Sequence, residues 1–126
     1  MSPPPTAPNS TRAIGLSAEE RAAQFLRAAG AQILYRNYWC RMGELDIVAQ
    51  HGSTLLVAEV RLRASNRYGG AAASITAAKC RRIVLATRHL LARYPALQRL
   101  PIRFDALLLT ADEGPIEWLR GAFDAY

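Results

Sequence analysis

The sequence holds a single lysine, two cysteines and two histidines among 126 residues. Each scarcity excludes something. Cys40 and Cys80 are too few for a disulfide scaffold, and no CxxC motif or Cys/His cluster surrounds either, which argues against a zinc site. Both read as buried or free thiols of a reducing compartment. No apolar stretch approaches the roughly 20 residues that span a bilayer. The N-terminal MSPPPTAPNSTR lacks the apolar core of a signal peptide. The expected setting is therefore cytoplasmic, without a membrane partner, and the Asn9-Ser10-Thr11 sequon carries no meaning there. His51 falls in a turn and reads as exposed. His89 has no His, Cys or Asp at ligand spacing, so neither histidine reads as a catalytic group.

Acidic residues are missing from a long stretch. Residues 60–104 carry ten basic groups and no acidic one, whereas residues 1–59 carry five of each and residues 105–126 carry one basic and five acidic. With a net charge of +6, this segregation predicts a positive surface that meets a polyanion such as DNA or RNA. The competing reading is a solvated helix face on a merely basic protein. Hydrophobic residues make up 51% of the chain, which suits one globular domain with a core of its own.

Local signals predict the order of elements. Residues 1–15 are rich in Pro, Ser and Thr and read as a disordered tail, leaving 16–126 as a single domain. Ser17 reads as an N-cap and Glu20 as its capping-box partner, opening a helix that Gly30 stops. AQILYRNYW reads as a strand, with Ile33, Tyr35 and Asn37 on one side and Leu34, Arg36 and Tyr38 on the other. ELDIVAQ and TLLVAEVRLR follow as strands joined through the turn His51–Ser53. Ser74 is the expected cap of a long helix reaching about Tyr94. IRFDALLLT reads as an interior strand and PIEWLR as a last short one. The fold class expected is α/β: an antiparallel meander, then a right-handed parallel crossover, giving a mixed sheet flanked by helices. Trp39 and Tyr38 read more readily as strand packing than as base-stacking platforms.

The chemistry concentrates on carboxylates. Glu44 and Asp46 are two apart on one strand and share a face. If the hairpin turns near residues 51–53, Asp46 lies opposite about residue 58 and Glu44 opposite about residue 60, so Glu59 falls beside both. Acids gathered at a strand mouth repel one another unless something positive intervenes. A hard divalent cation, Mg²⁺ or Mn²⁺, is the natural partner, and Asp46, Glu59 and Glu44 are its candidate ligands. Arg61 is placed to hold a phosphate. The alternative is that Arg61 and Arg63 merely neutralise these acids.

GELDIVA, AEVRLR, RYGGAAASITAAKCRRI and RFDALLL, taken in this order and spacing, resemble the YraN-like family of predicted bacterial endonucleases. The resemblance runs from about Gly15 to Phe123. It implies the restriction-endonuclease-like, PD-(D/E)XK fold: a mixed central sheet flanked by helices. It further implies that Asp46 is the first metal-binding Asp, that Glu59 is the acid of the (D/E)XK element, and that Glu19 completes the site. Glu44 belongs to the family's GEID-like run, and Gly43 permits the turn into that strand. Arg61 stands where the superfamily has lysine. Arginine essentially never loses its proton, so it binds phosphate but does not take a proton from water. Lys79, near the start of the following helix, is the candidate replacement.

Two functions from different classes follow. One is a metal-dependent endonuclease with Asp46, Glu59, Glu19, Arg61 and Lys79 at its centre, while Arg63, Arg67, Lys79, Arg81 and Arg82 track the nucleic-acid backbone. The other is a non-catalytic nucleic-acid-binding module on the same fold. A protein-interaction role for the basic face is a third. Cutting both strands of a duplex would require a homodimer.

Overall fold

A computed structural model describes residues 17–63, 75–112 and 114–125. The expected tail, Ser74 and Arg67 lie outside the described residues. Helix α1 spans Ala18–Ala28, and strands β1 (Gln32–Cys40), β2 (Gly43–His51) and β3 (Thr54–Arg63) follow it. Helix α2 spans Ala77–Arg93, a short 3₁₀ helix covers Pro95–Arg99, and strands β4 (Ile102–Thr110) and β5 (Glu117–Phe123) complete the order.

The five strands form one mixed sheet in the order β1-β2-β3-β4-β5. β1–β2, β2–β3 and β4–β5 pair antiparallel, and β3–β4 pair parallel. The α/β expectation of a meander followed by a parallel step therefore holds. Each helix covers one face. Ala22, Ala23 and Leu26 of α1 pack on Ile47, Leu56, Leu107 and Leu109. Ile83, Val84 and Leu90 of α2 pack on Tyr35, Tyr38, Leu45 and Val48. Each buried Leu or Ile contributes about 1.5–3 kcal/mol to holding the layers together. No helix among the described residues is long and apolar enough to cross a membrane.

The helix ends correct two expectations. Ser17 does cap α1, its hydroxyl accepting from the Glu20 N–H at 3.1 Å. The Glu20 carboxylate does not return the bond, because it pairs with Arg36 at 2.5 Å and with Arg27 at 3.7 Å. A guanidinium is the stronger partner, so only half of the capping box forms. α2 begins two residues later than expected. Its cap is Thr76, whose hydroxyl accepts from the Lys79 N–H at 3.0 Å. The helix ends at Arg93 because Pro95 disfavours helical geometry at Tyr94.

Strand β1 departs from simple alternation. Tyr35 and Tyr38 lie in the same α2-side cluster, whereas Ile33 packs on the α1 side and Arg36 reaches Glu20 of α1. The cause is twofold. The β1–β2 register shifts between Ile33 and Tyr35. Asn37 then adopts a left-handed conformation (φ 53°), which asparagine tolerates better than most residues.

A second irregularity joins β4 to β5. Their register shifts between Phe104 and Ala106, and the fully buried Asp105 fills the gap. Its carboxylate accepts from Arg103 Nε and Nη2, both at 2.9 Å, from Trp118 Nε1 at 2.8 Å and from the Gly121 N–H at 3.0 Å. Gly121 has φ +64°, which a side chain would strain.

Candidate active site

The site lies where β2 and β3 separate. Their ladder runs from His51–Thr54 to Ile47–Ala58. The register is one residue further along than the turn alone suggested, so the next rung brings Asp46 to Glu59. At that rung the Asp46 Oδ2 accepts the Val60 N–H at 2.8 Å. A side-chain carboxylate has taken over the role of a strand carbonyl, and it fixes Asp46 in the opening between the strands.

Glu59 is buried beside it, only 5% exposed. Its carboxylate meets Lys79 Nζ at 3.6 Å and Arg61 Nη1 at 3.9 Å. Lys79 comes from the first turn of α2. That helix sits close enough to reach because Gly43 has no side chain: a Cβ there would stand 3.0 Å from the Arg82 carbonyl oxygen. Gly43 thus does more than permit a turn. It lets α2 lie against the β1–β2 hairpin and deliver its lysine.

The electrostatics describe a pair of acids short of positive charge. Burial, and then the neighbouring Glu59, push the Asp46 carboxyl up to about 7, against a smaller downward pull from the Val60 N–H. Burial also pushes Glu59 above the usual carboxylate range, while Lys79, the hydrogen bond with Asp46, and Arg61 pull it back. Two buried carboxyls at this separation hold on to a proton that isolated ones would lose at neutral pH.

Glu19 and Glu44 stand further out. Glu19, on the first turn of α1, is pushed up mainly by burial and next by the Asp46 charge, while a hydrogen bond from the Asn37 side chain pulls it down. Glu44 is exposed and faces Trp39 across β1–β2; it raises both Glu19 and Asp46 through its charge. Among the described residues no group of three or more His, Cys, Asp or Glu side chains converges closely enough to hold a metal ion. Asp46 and Glu59 are the pair that comes together, and Glu19 and Glu44 shape the field around them. Two hard carboxylates with raised proton affinity suit Mg²⁺, which takes one or two carboxylates and completes its shell with water and phosphate oxygens.

The cations divide. Lys79 and Arg61 reach the acids. Arg81 and Arg82 are exposed on α2. For Arg63 only the strand backbone is described, and Arg67 lies outside the described residues. Arg103, counted in the sequence among the ten cations facing a polyanion, is bound to Asp105 instead. Of the two aromatics read as strand packing, Tyr38 is fully buried and bonded to His89 Nδ1 at 2.6 Å, but Trp39 is 68% exposed. His51 is only half-exposed, its Nε2 lying 3.1 Å from the Ala29 carbonyl oxygen.

Sequence reading missed Asn37 and the Val60 N–H. A backbone donor leaves no sequence signal. Asn37 left a faint one, a turn-favouring residue in the middle of a strand pattern.

The chain is similar in sequence to proteins of one family over most of its length. The family model described as "Uncharacterised protein family UPF0102" matches residues 18–109, from the start of α1 to the end of β4. A UPF0102 protein of Paracidovorax citrulli is 50% identical over 91% of this chain and 85% of its own length. One from Nitrosomonas europaea is 47% identical over 87% of this chain and 92% of its own. One from Legionella pneumophila is 39% identical over 91% and 98%. The matched span contains Glu19, Asp46, Glu59, Arg61 and Lys79, and on this agreement of length, order and identity the chain belongs to the uncharacterised protein family UPF0102.

Proposed function

We propose that the chain is a nucleic-acid-binding, metal-dependent endonuclease that hydrolyses phosphodiester bonds. The observation that carries this reading is the buried Asp46–Glu59 pair in the gap between β2 and β3, with Lys79 at 3.6 Å from Glu59. Asp46 and Glu59 would hold Mg²⁺ or Mn²⁺. When bound, the ion supplies charge to the phosphoryl oxygens and lowers the pKa of a coordinated water. The protein does the remainder. The Val60 N–H and the burial of Glu59 fix both carboxylates before substrate arrives, so little reorganisation is needed at the moment of reaction. Arg61 presents a guanidinium fork that clamps a phosphate oxygen. Lys79 has the chemistry that Arg61 lacks: an amine in a partly buried site can exchange a proton with the attacking water.

A specific observation favours a second reading. Arg61 stands two residues beyond Glu59, where the superfamily that the sequence resembles has lysine, and Lys79 is engaged with Glu59. If that engagement holds throughout, the same surface is a binding module without turnover.

A cleavage screen separates the two. Labelled single-stranded, duplex, flap and junction DNA, and RNA, are incubated with the purified chain and Mg²⁺, Mn²⁺ or EDTA, beside Asp46→Ala. The expected outcome is metal-dependent products that vanish in the variant and in EDTA. Gel-shift binding without products in any lane would establish the binding module and remove the enzyme.

A further inference from the structure

Three large hydrophobic residues are exposed among the described residues: Trp39 at 68%, Leu62 at 59% and Met42 at 38%. All three lie at the end of the sheet that holds the Asp46–Glu59 pair. Trp39 is next to last in β1, Met42 is in the β1–β2 turn, and Leu62 is near the end of β3. An indole two-thirds open to water is unusual unless something covers it.

The face it occupies narrows what that is. Tyr38 and Cys40 belong to the α2-side cluster, so Trp39 between them points to the α1 side. Val60 packs on the α1-side cluster, and Leu62 two residues later shares that side. Glu19, in the first turn of α1, feels the Asp46 charge, while Trp39 and Leu62 stay exposed among the described residues. Trp39 faces Glu44 directly across the hairpin, and Glu44 is two residues, about 7 Å, from Asp46.

Charge differs across this end. On the α2 side stand Lys79 and Arg61 against Glu59, with exposed Arg82 beside Gly43. On the α1 side stand Glu19 and Glu44, both felt by Asp46 or feeling it, while Arg36, also on that side, is taken up by Glu20. A polyanion's phosphates belong on the first side and are repelled from the second. What fits on the second is an uncharged flat group with amino edges, which a carboxylate such as Glu44 accepts from.

We propose that Trp39 is a stacking platform for an unpaired nucleobase, seated on the α1 side of the Asp46–Glu59 pair while the strand's phosphates lie on the α2 side. The inference rests on the nucleic-acid reading above and adds a substrate class to it. A duplex offers groove edges and keeps its base faces stacked. A single strand, or a strand locally opened, presents the π-face that an indole takes up. Trp39 is then a positioning and specificity residue: it sets which stretch of strand crosses the acid pair.

The test measures binding of the full chain to three end-labelled ligands by fluorescence anisotropy, with Ca²⁺ replacing Mg²⁺ so that carboxylates are neutralised without turnover. The ligands are an oligodeoxycytidine strand, an abasic strand of equal length with the same phosphates, and a duplex. Wild type is expected to prefer the base-bearing strand over the abasic one. Trp39→Ala should weaken the base-bearing strand by about 5- to 100-fold, the loss of one base stack, and leave the abasic strand and the duplex unchanged. Trp39→Phe should keep most of the preference. Thermal melts of both variants should match wild type, since the side chain is exposed. Equal loss on all three ligands, or no loss, would overturn the inference while leaving the nucleic-acid reading intact. Failure of wild type to bind any of the three would overturn both. A change of oligomeric state by light scattering in Trp39→Ala, with strand affinity unaltered, would assign the patch to a second copy of the chain and overturn the stacking role.

Discussion

Asp105 and Asp46 are aspartates carried into the same sheet, and the fold treats them in opposite ways. Asp105 lies in a strand irregularity and is fully buried, yet each oxygen is provided for: two donors from Arg103, one from Trp118 and one from the Gly121 N–H. Asp46 also lies at a break in the ladder, but it accepts one backbone N–H and faces another acid, Glu59. A satisfied buried carboxylate is a structural pin, whereas removing its partners leaves an uncompensated charge. A buried carboxylate with too few donors retains its proton, or accepts a cation, and that spare capacity is what a hydrolytic site requires. Asp105 is the more deeply buried of the two, so burial alone does not make Asp46 the reactive one. The inventory of donors does.

The comparison is open to attack by mutation. The largest expected effect is at the satisfied site. Asp105→Ala orphans the Arg103 charge and the Trp118 and Gly121 N–H groups, and should lower stability by about 3–5 kcal/mol in urea denaturation. A loss under 1 kcal/mol would mean that the four donors do not make Asp105 structural. At the under-supplied site the damage should fall chiefly on rate. On the proposed endonuclease reading, Lys79→Met should reduce cleavage about 100-fold or more, with Arg61 left as the remaining partner of Glu59, and Lys79→Arg should not restore it. Restoration by arginine would show that only the positive charge matters.

The third effect is a pH dependence. The folded-state value of Asp46, about 7, stands above the ordinary 3.8. Between those values the folded chain binds more protons than the unfolded one, so stability falls as pH rises from about 4 to about 7 and is flat above. Metal-free wild type should thus be less stable at pH 8 than at pH 5 on this account. Asp46→Asn should lack that decline and gain about 1–2 kcal/mol over wild type at pH 8, and millimolar Mg²⁺ should recover much of the same amount for wild type only. Paired denaturation curves at the two pH values decide it, and a variant as pH-sensitive as wild type would detach the effect from Asp46. The smallest effect sharpens the contrast. Trp118→Phe removes one of the donors to Asp105 and should cost about 1 kcal/mol without altering Mg²⁺ binding by isothermal calorimetry.

How much was legible in the sequence follows from how local each feature is. The Ser17 cap, the Gly52 turn and the alternation of β3 depend on neighbours in the chain, and they came out as expected; β2 breaks its alternation at Asp46, with Leu45 in the α2-side cluster and Ile47 in the α1-side one. The acids of the strand mouth were found because a hairpin makes sequence separation a guide to distance. Lys79 needed a tertiary fact, the depth at which α2 packs, and the sequence offered it only as one option. Asp105 was passed over because a single acid in IRFDALLLT looks like a tolerated interruption. Its partner Trp118 lies 13 residues away across a bulge, and Arg103 was read as part of a basic run. Trp39 was misjudged for the same reason. Its alternation with Tyr38 and Cys40 was readable, but not its exposure.

Gly43 sits under the Arg82 carbonyl with no room for one more carbon. The span from hairpin to helix is thereby set by an atom the protein does without. Alanine at this position would not touch any reacting group, yet it would act as a shim, lifting the first turn of α2 by a few tenths of an ångström and drawing the lysine back from its acid. The rate of a reaction at one strand pair would then be governed from the next turn of chain, by thickness alone.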